Sequence, residues 1–128
     1  MNSKLYILII AMGLFSSLSA SGQGKSIAYI ETSTSGSWYY LYDSAGKKIG
    51  TLGASAGELV GYSDSFFILR HNSWYYLYDS NCKKYQTLGV DSIGEIKSVT
   101  SQGFTAVRKG WIMTHDRNGK KLSTKAAK

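Results

Sequence analysis

Three aspartates, Asp43, Asp79 and Asp116, recur at spacings of 36 and 37 residues, and recurring acids are where chemistry would first be sought. Catalysis or metal binding would require them to converge, whereas a turn role requires only that each carboxylate cap the amides of its own loop. A turn residue recurs wherever its turn recurs, so these aspartates read as structural, together with Gly46 and Gly119, three residues beyond Asp43 and Asp116. Glu58 and Glu95 form a second candidate pair, since a glycosidase needs two carboxyl groups about 5 to 10 Å apart. Both follow a glycine at matching points of a repeat, which makes them strand-entry residues. His71, Cys82 and His115 break the repetition. A cysteine and a histidine could serve as nucleophile and base, but Cys82 falls at a turn tip beside Lys83 and Lys84. Two histidines fall short of the three protein ligands usual in a zinc site. The expectation is a protein without catalytic residues, metal or cofactor.

Aromatic side chains offer the alternative chemistry. Exposed Trp and Tyr rings stack on the apolar faces of sugars, and repetition adds avidity for a polymer. On this basis Tyr39, Tyr75, Tyr42 and Tyr78, with Arg70 and Arg108, are the candidate ligand-binding residues. Trp38, Trp74 and Trp111 are instead assigned to the core of a domain that has one cysteine, no proline and no internal disulfide to hold it.

The elements that must position these residues come from an internal repeat. Residues 37–53 and 73–89 share Ser-Trp-Tyr-Tyr-Leu-Tyr-Asp-Ser, then Lys-Lys and Thr-Leu-Gly. A third copy runs from Trp111 through Asp116, Gly119, Lys120 and Lys121. Gly57-Glu58-Leu59 returns as Gly94-Glu95-Ile96, and Phe66–Arg70 as Phe104–Arg108. Trp38–Tyr42 alternates Trp38, Tyr40 and Tyr42 against Tyr39 and Leu41. Both sets are apolar, as in a central strand. Asp43–Gly46 then makes a type I turn, and Lys47–Leu52 returns. In the second copy Cys82 stands where glycine would take positive φ, so either Asn81 assumes the left-handed position or the turn is strained.

With preceding strands around Ile27–Ile30, Phe66–Leu69 and Phe104–Val107, and joining strands at Leu59–Tyr62 and Ile96–Thr100, each unit has four strands. The first unit lacks its opening strand. The fold class is all-β: three tandem four-stranded antiparallel units, at about 26–53, 57–89 and 94–124. They are arranged as propeller-like blades or as a β-trefoil-like barrel. Val107-Arg108-Lys109-Gly110-Trp111-Ile112, with Asp116 and Gly119-Lys120-Lys121, resembles the tandem Trp-Gly-type repeats of bacterial envelope proteins and the blades of small propeller-like repeats. Tyr39, Tyr75 and Ile112 stand where that pattern has glycine after tryptophan. The resemblance implies a β-repeat scaffold without a shared catalytic activity.

Residues 1–22 read as a signal peptide. Lys4 is followed by an apolar run from Leu5 to Phe15 and then by small residues, with cleavage expected after Gly22. Eleven apolar residues are too few to span a bilayer, which takes about 20. Residues 23–128 would then be one β-repeat domain with 14 basic and 8 acidic side chains, since Lys4 leaves with the leader. An exported chain of net positive charge meets glycans and anionic envelope components sooner than nucleic acid, and no nucleic-acid partner or stable membrane span is expected. The functional expectation is an exported, non-enzymatic binding module for a glycan, envelope component or protein partner, in the periplasm, at the cell surface or outside the cell. The alternative is an accessory repeat protein that associates with itself into a homo-oligomer. A hydrolase of envelope polymers ranks third.

Overall fold

The computed structural model describes residues 25–127; the predicted leader and its cleavage site lie outside them. The described residues form an all-β structure of three antiparallel sheets. Sheet 1 contains β1 (Tyr29–Thr32), β2 (Trp38–Tyr42) and β3 (Lys48–Gly53). Sheet 2 contains β4 (Glu58–Tyr62), β5 (Phe66–His71), β6 (Trp74–Asp79) and β7 (Lys84–Gly89), and sheet 3 contains β8 (Glu95–Thr100), β9 (Gly103–Arg108), β10 (Trp111–Asp116) and β11 (Lys121–Ala126). Spatial order equals chain order in every sheet, because each strand reaches the next through a tight turn. The described residues form no closed barrel, so the β-trefoil-like alternative is not what the chain adopts. A closed barrel would need hydrogen bonds from one sheet's edge to the next, and each ladder here ends within its own unit.

Successive sheets pack face against face. Tyr39, Leu41 and Ile30 of sheet 1 meet Phe67, Leu69 and Tyr78 of sheet 2 in one buried cluster. Phe66, Ile68, Tyr75 and Leu77, on the other face of sheet 2, meet Phe104 and Ala106 of sheet 3 in a second. Sheet 2 is therefore covered on both sides. This explains why Phe67, Ile68, Leu69 and Leu77 are all fully buried although they alternate in direction. Each such side chain contributes about 1.5–3 kcal/mol of transfer free energy.

Short helical turns, Ala54–Ala56 and Val90–Ile93, carry the chain from one sheet to the next and end at Gly57 and Gly94. At Gly57 (φ 151°) a Cβ would lie 2.8 Å from the Arg70 carbonyl oxygen, so only glycine lets the chain enter β4 there. β4 and β8 come equally close. A Cβ on Gly61 would lie 2.6 Å from Val99 Cγ2.

The ladder register corrects one alignment read from the sequence. Phe67 pairs with Tyr78 and Phe104 with His115, while Phe66 pairs with Asp79. Phe104 therefore matches Phe67, and Phe66–Arg70 does not superpose on Phe104–Arg108. The slip of one residue puts Arg70 and Arg108 on opposite faces, because side chains alternate with a period of two.

Candidate functional site

The three Asp turns are built alike. Asp43 Oδ1 accepts from the amides of Ala45 and Lys47 at 3.0 and 2.9 Å. Asp79 does so for Asn81 and Lys83, and Asp116 for Asn118 and Lys120. These amides hold the Asp116 carboxyl below its ordinary pKa. Each carboxylate is thus occupied within its own turn. The left-handed position is taken by Gly46 (φ 81°), Cys82 (φ 64°) and Gly119 (φ 87°), so Cys82 itself and not Asn81 adopts it.

The candidate ligand-binding tyrosines are mostly interior. Tyr39 is buried and donates its hydroxyl to the Gly57 carbonyl at 2.7 Å; Tyr75 is buried and does the same to Gly94 at 2.7 Å. Burial raises the Tyr75 pKa, and it raises that of Tyr78, which lies stacked on Phe67. Neither Tyr39, Tyr75 nor Tyr78 offers a free ring face. Tyr42 is half-buried against Tyr29 on the uncovered side of sheet 1. Arg70 Nε donates to the Asn72 carbonyl at 3.1 Å and Arg108 Nε to the Asp91 carbonyl at 2.7 Å, which ties both guanidinium groups to nearby backbone.

The tryptophans are the correction. Trp38, Trp74 and Trp111 are 47, 49 and 48% exposed, so they do not form the core assigned to them from sequence. Trp74 and Trp111 point toward a neighbouring sheet and Trp38 toward none, yet exposure is equal. All three rings therefore lie beyond the zone of inter-sheet contact. Each opens the central strand of its sheet, beside a hairpin loop. Its cross-strand partners there are Gly53 for Trp38, His71 and Gly89 for Trp74, and Arg108 and Ala126 for Trp111. The indoles lie over the glycines: a Cβ on Gly53 would be 3.9 Å from Trp38 Cζ3, and one on Gly89 3.8 Å from Trp74 Cζ3. The result is one indole per sheet at matching rim positions, with a basic or imidazole side chain beside two of them. The sequence carried a signal for this in the small residues that close each returning strand opposite the tryptophan.

Two of the symmetry-breaking residues, Cys82 and His115, are placed for packing, while His71 is exposed beside Trp74. Cys82 is half-buried, and burial followed by the nearby Asp79 carboxylate pushes its thiol pKa up, the opposite of what an activated nucleophile needs. His115 is buried and stacks on Phe104 with ring centroids 4.8 Å apart, as Tyr78 stacks on Phe67. Two shallow grooves stand out: about 230 Å³ between Phe66, Asp79, Tyr85 and Arg117, and about 220 Å³ between Glu31, Thr32, Tyr40 and Tyr42. Both fall below the range of about 300–1,000 Å³ typical of small-molecule sites. Such geometry suits recognition across a surface better than enclosure of a ligand. No family model, characterised protein or solved structure matches the chain.

Proposed function

We propose that the chain is an exported, non-enzymatic binding module that recognises a polysaccharide of the cell envelope through the rim tryptophans. The single observation behind this reading is the equal, half-open exposure of Trp38, Trp74 and Trp111 at matching positions of three sheets. An indole half out of water offers an apolar face to the C–H side of a pyranose ring, and three in a row would engage successive units of a polymer. His71 beside Trp74 and Arg108 beside Trp111 add hydrogen-bond donors and positive charge suited to an acidic glycan. Export rests on the residue 1–22 leader. The face-to-face stacking of sheets in chain order favours propeller-like blades, in keeping with the resemblance to Trp-Gly-type repeats.

Intrinsic tryptophan fluorescence titrated with neutral and acidic polysaccharides tests this. Binding should perturb the emission, and Trp38→Ala, Trp74→Ala and Trp111→Ala should each weaken it, with the triple variant losing it. Emission unmoved by any polysaccharide, or binding indifferent to all three substitutions, would overturn the reading. A second reading, an accessory protein that associates with itself, is favoured by the two outer sheet faces, which no described residue covers.

A further inference from the structure

The two uncovered faces are related to the buried ones rung by rung. Glu31 pairs with Tyr40, Leu69 with Tyr76 and Ala106 with Met113, so these three residues hold the same position in sheets 1, 2 and 3. Leu52 pairs with Tyr39, Leu88 with Tyr75 and Lys125 with Ile112, a second equivalent position on the opposite face. Where sheet 1 meets sheet 2, Leu52 and Leu69 join the same apolar cluster. Where sheet 2 meets sheet 3, Leu88 and Ala106 join the other. At the two ends this apolar pairing becomes Glu31 on the outer face of sheet 1 and Lys125 on the outer face of sheet 3, both exposed. The outer face of sheet 3 is altered in part, and also carries the exposed Glu95 opposite Val107. Thr105 and Thr114 pair there as Ile68 and Leu77 do inside, while Val107 and Ile112 stay apolar and half-buried.

We propose that the occupant of these faces is a second copy of the chain, with sheet 3 of one copy stacked on sheet 1 of the other and Lys125 set against Glu31. This deepens the self-association reading by naming its interface. Two copies joined this way at both ends place six sheets in a closed ring, within the four to eight blades of known propellers, and leave no outer face uncovered. The polar substitutions keep the single chain soluble before it pairs, as is usual where partners fold separately. The opposite charges fix the head-to-tail sense, because stacking like ends would juxtapose two Glu31 or two Lys125 side chains. The rim tryptophans stay open in this assembly, since stacking inside the chain leaves Trp74 and Trp111 as exposed as Trp38.

Sedimentation equilibrium of the purified chain should give the mass of two copies. Glu31→Lys and Lys125→Glu should each weaken association about tenfold or more, by placing like charges at both interfaces. An equimolar mixture of the two variants should restore it, because every interface then regains one lysine and one glutamate. Restoration also shows that both variants are folded, as both positions are exposed on the single chain. Association unchanged in either variant, or weakened without rescue by mixing, would overturn the pairing while leaving self-association standing. A monomer at every concentration would remove both.

Discussion

The sulfur of Cys82 occupies the space that a side chain at Gly50 would need: a Cβ there would lie 2.9 Å from Cys82 Sγ. Gly50 belongs to β3 of sheet 1 and Cys82 to the Asp turn of sheet 2, so this contact crosses the boundary between units. The matching turn of sheet 3 has Gly119 against Leu88, where a Cβ on Gly119 would come within 2.6 Å of Leu88 Cδ1. The bulk thus stands in the turn at the first boundary and in the strand at the second.

A double-mutant cycle follows from that exchange. Gly50→Ala should destabilise the chain by about 1–3 kcal/mol through overpacking against the sulfur. Cys82→Gly relieves about 1 kcal/mol of left-handed strain but removes the half-buried sulfur and its packing, so alone it should be close to neutral. Together the two should cost less than Gly50→Ala alone, a coupling readable by urea denaturation. Additive effects would mean that the two residues do not compete for space.

His115 makes stability depend on pH. Burial first, then the positive charge of Lys121, lowers its pKa below the ordinary 6.5, and Nδ1 has no hydrogen-bond partner. Below pH 6.5 the unfolded chain takes up a proton that the folded chain resists. This contribution to stability is therefore complete above 6.5 and declines as pH falls. His115→Tyr restores the residue found at the matching Tyr78 and should flatten that decline in thermal melts across the acid range. A slope unchanged by the substitution would assign it to other groups.

The arrangement of strands was legible in the sequence because the repeat wrote the same period-two pattern and the same Asp turn three times. Three antiparallel sheets, and an opening unit short of one strand, follow from counting those patterns. Which aromatic rings reach water was not legible. In Trp38–Tyr42 both alternating sets are apolar, so periodicity separates Tyr39 from Trp38 but does not say which is covered. The answer depends on where the neighbouring sheet ends, and it ends short of the tryptophan. Arg70 and Arg108 misled for a related reason: Phe66-Phe67 offers two alignments to Phe104, and only the ladder register chooses between them. The inter-sheet hydrogen bonds were also hidden, since they join residues distant in sequence.

Tyr85 and Gln86 illustrate such bonds. The Tyr85 hydroxyl donates to the Arg117 carbonyl at 2.7 Å and Gln86 Nε2 to the Asn118 carbonyl at 2.9 Å, which latches β7 onto the Asp turn of sheet 3. Burial pushes the Tyr85 pKa up to about 12. Tyr85→Phe should remove the most alkaline phenol from an ultraviolet titration. It should cost about 0.5–1.5 kcal/mol, the net worth of one such bond. Loss of a phenol of ordinary pKa would show that the latch is not formed in solution.

Tyr39 and Tyr75 should prove structural in a way that also explains the third repeat. Each hydroxyl bonds the carbonyl of the glycine that opens the following sheet, Gly57 or Gly94. Among the described residues no sheet follows sheet 3, and its equivalent residue is Ile112, which has no hydroxyl to place. Tyr39→Phe strands the buried Gly57 carbonyl and should cost about 1–3 kcal/mol. Tyr75→Phe frees the part-buried Gly94 carbonyl and should cost about 0.5–1.5 kcal/mol. Ile112→Tyr should gain nothing, because among the described residues no sheet-opening glycine follows sheet 3. Neither Phe substitution should alter polysaccharide binding beyond its effect on the folded fraction, since both rings are covered. A Phe variant of full stability that bound less polysaccharide would instead return these tyrosines to the recognition surface and displace the tryptophans as its sole carriers.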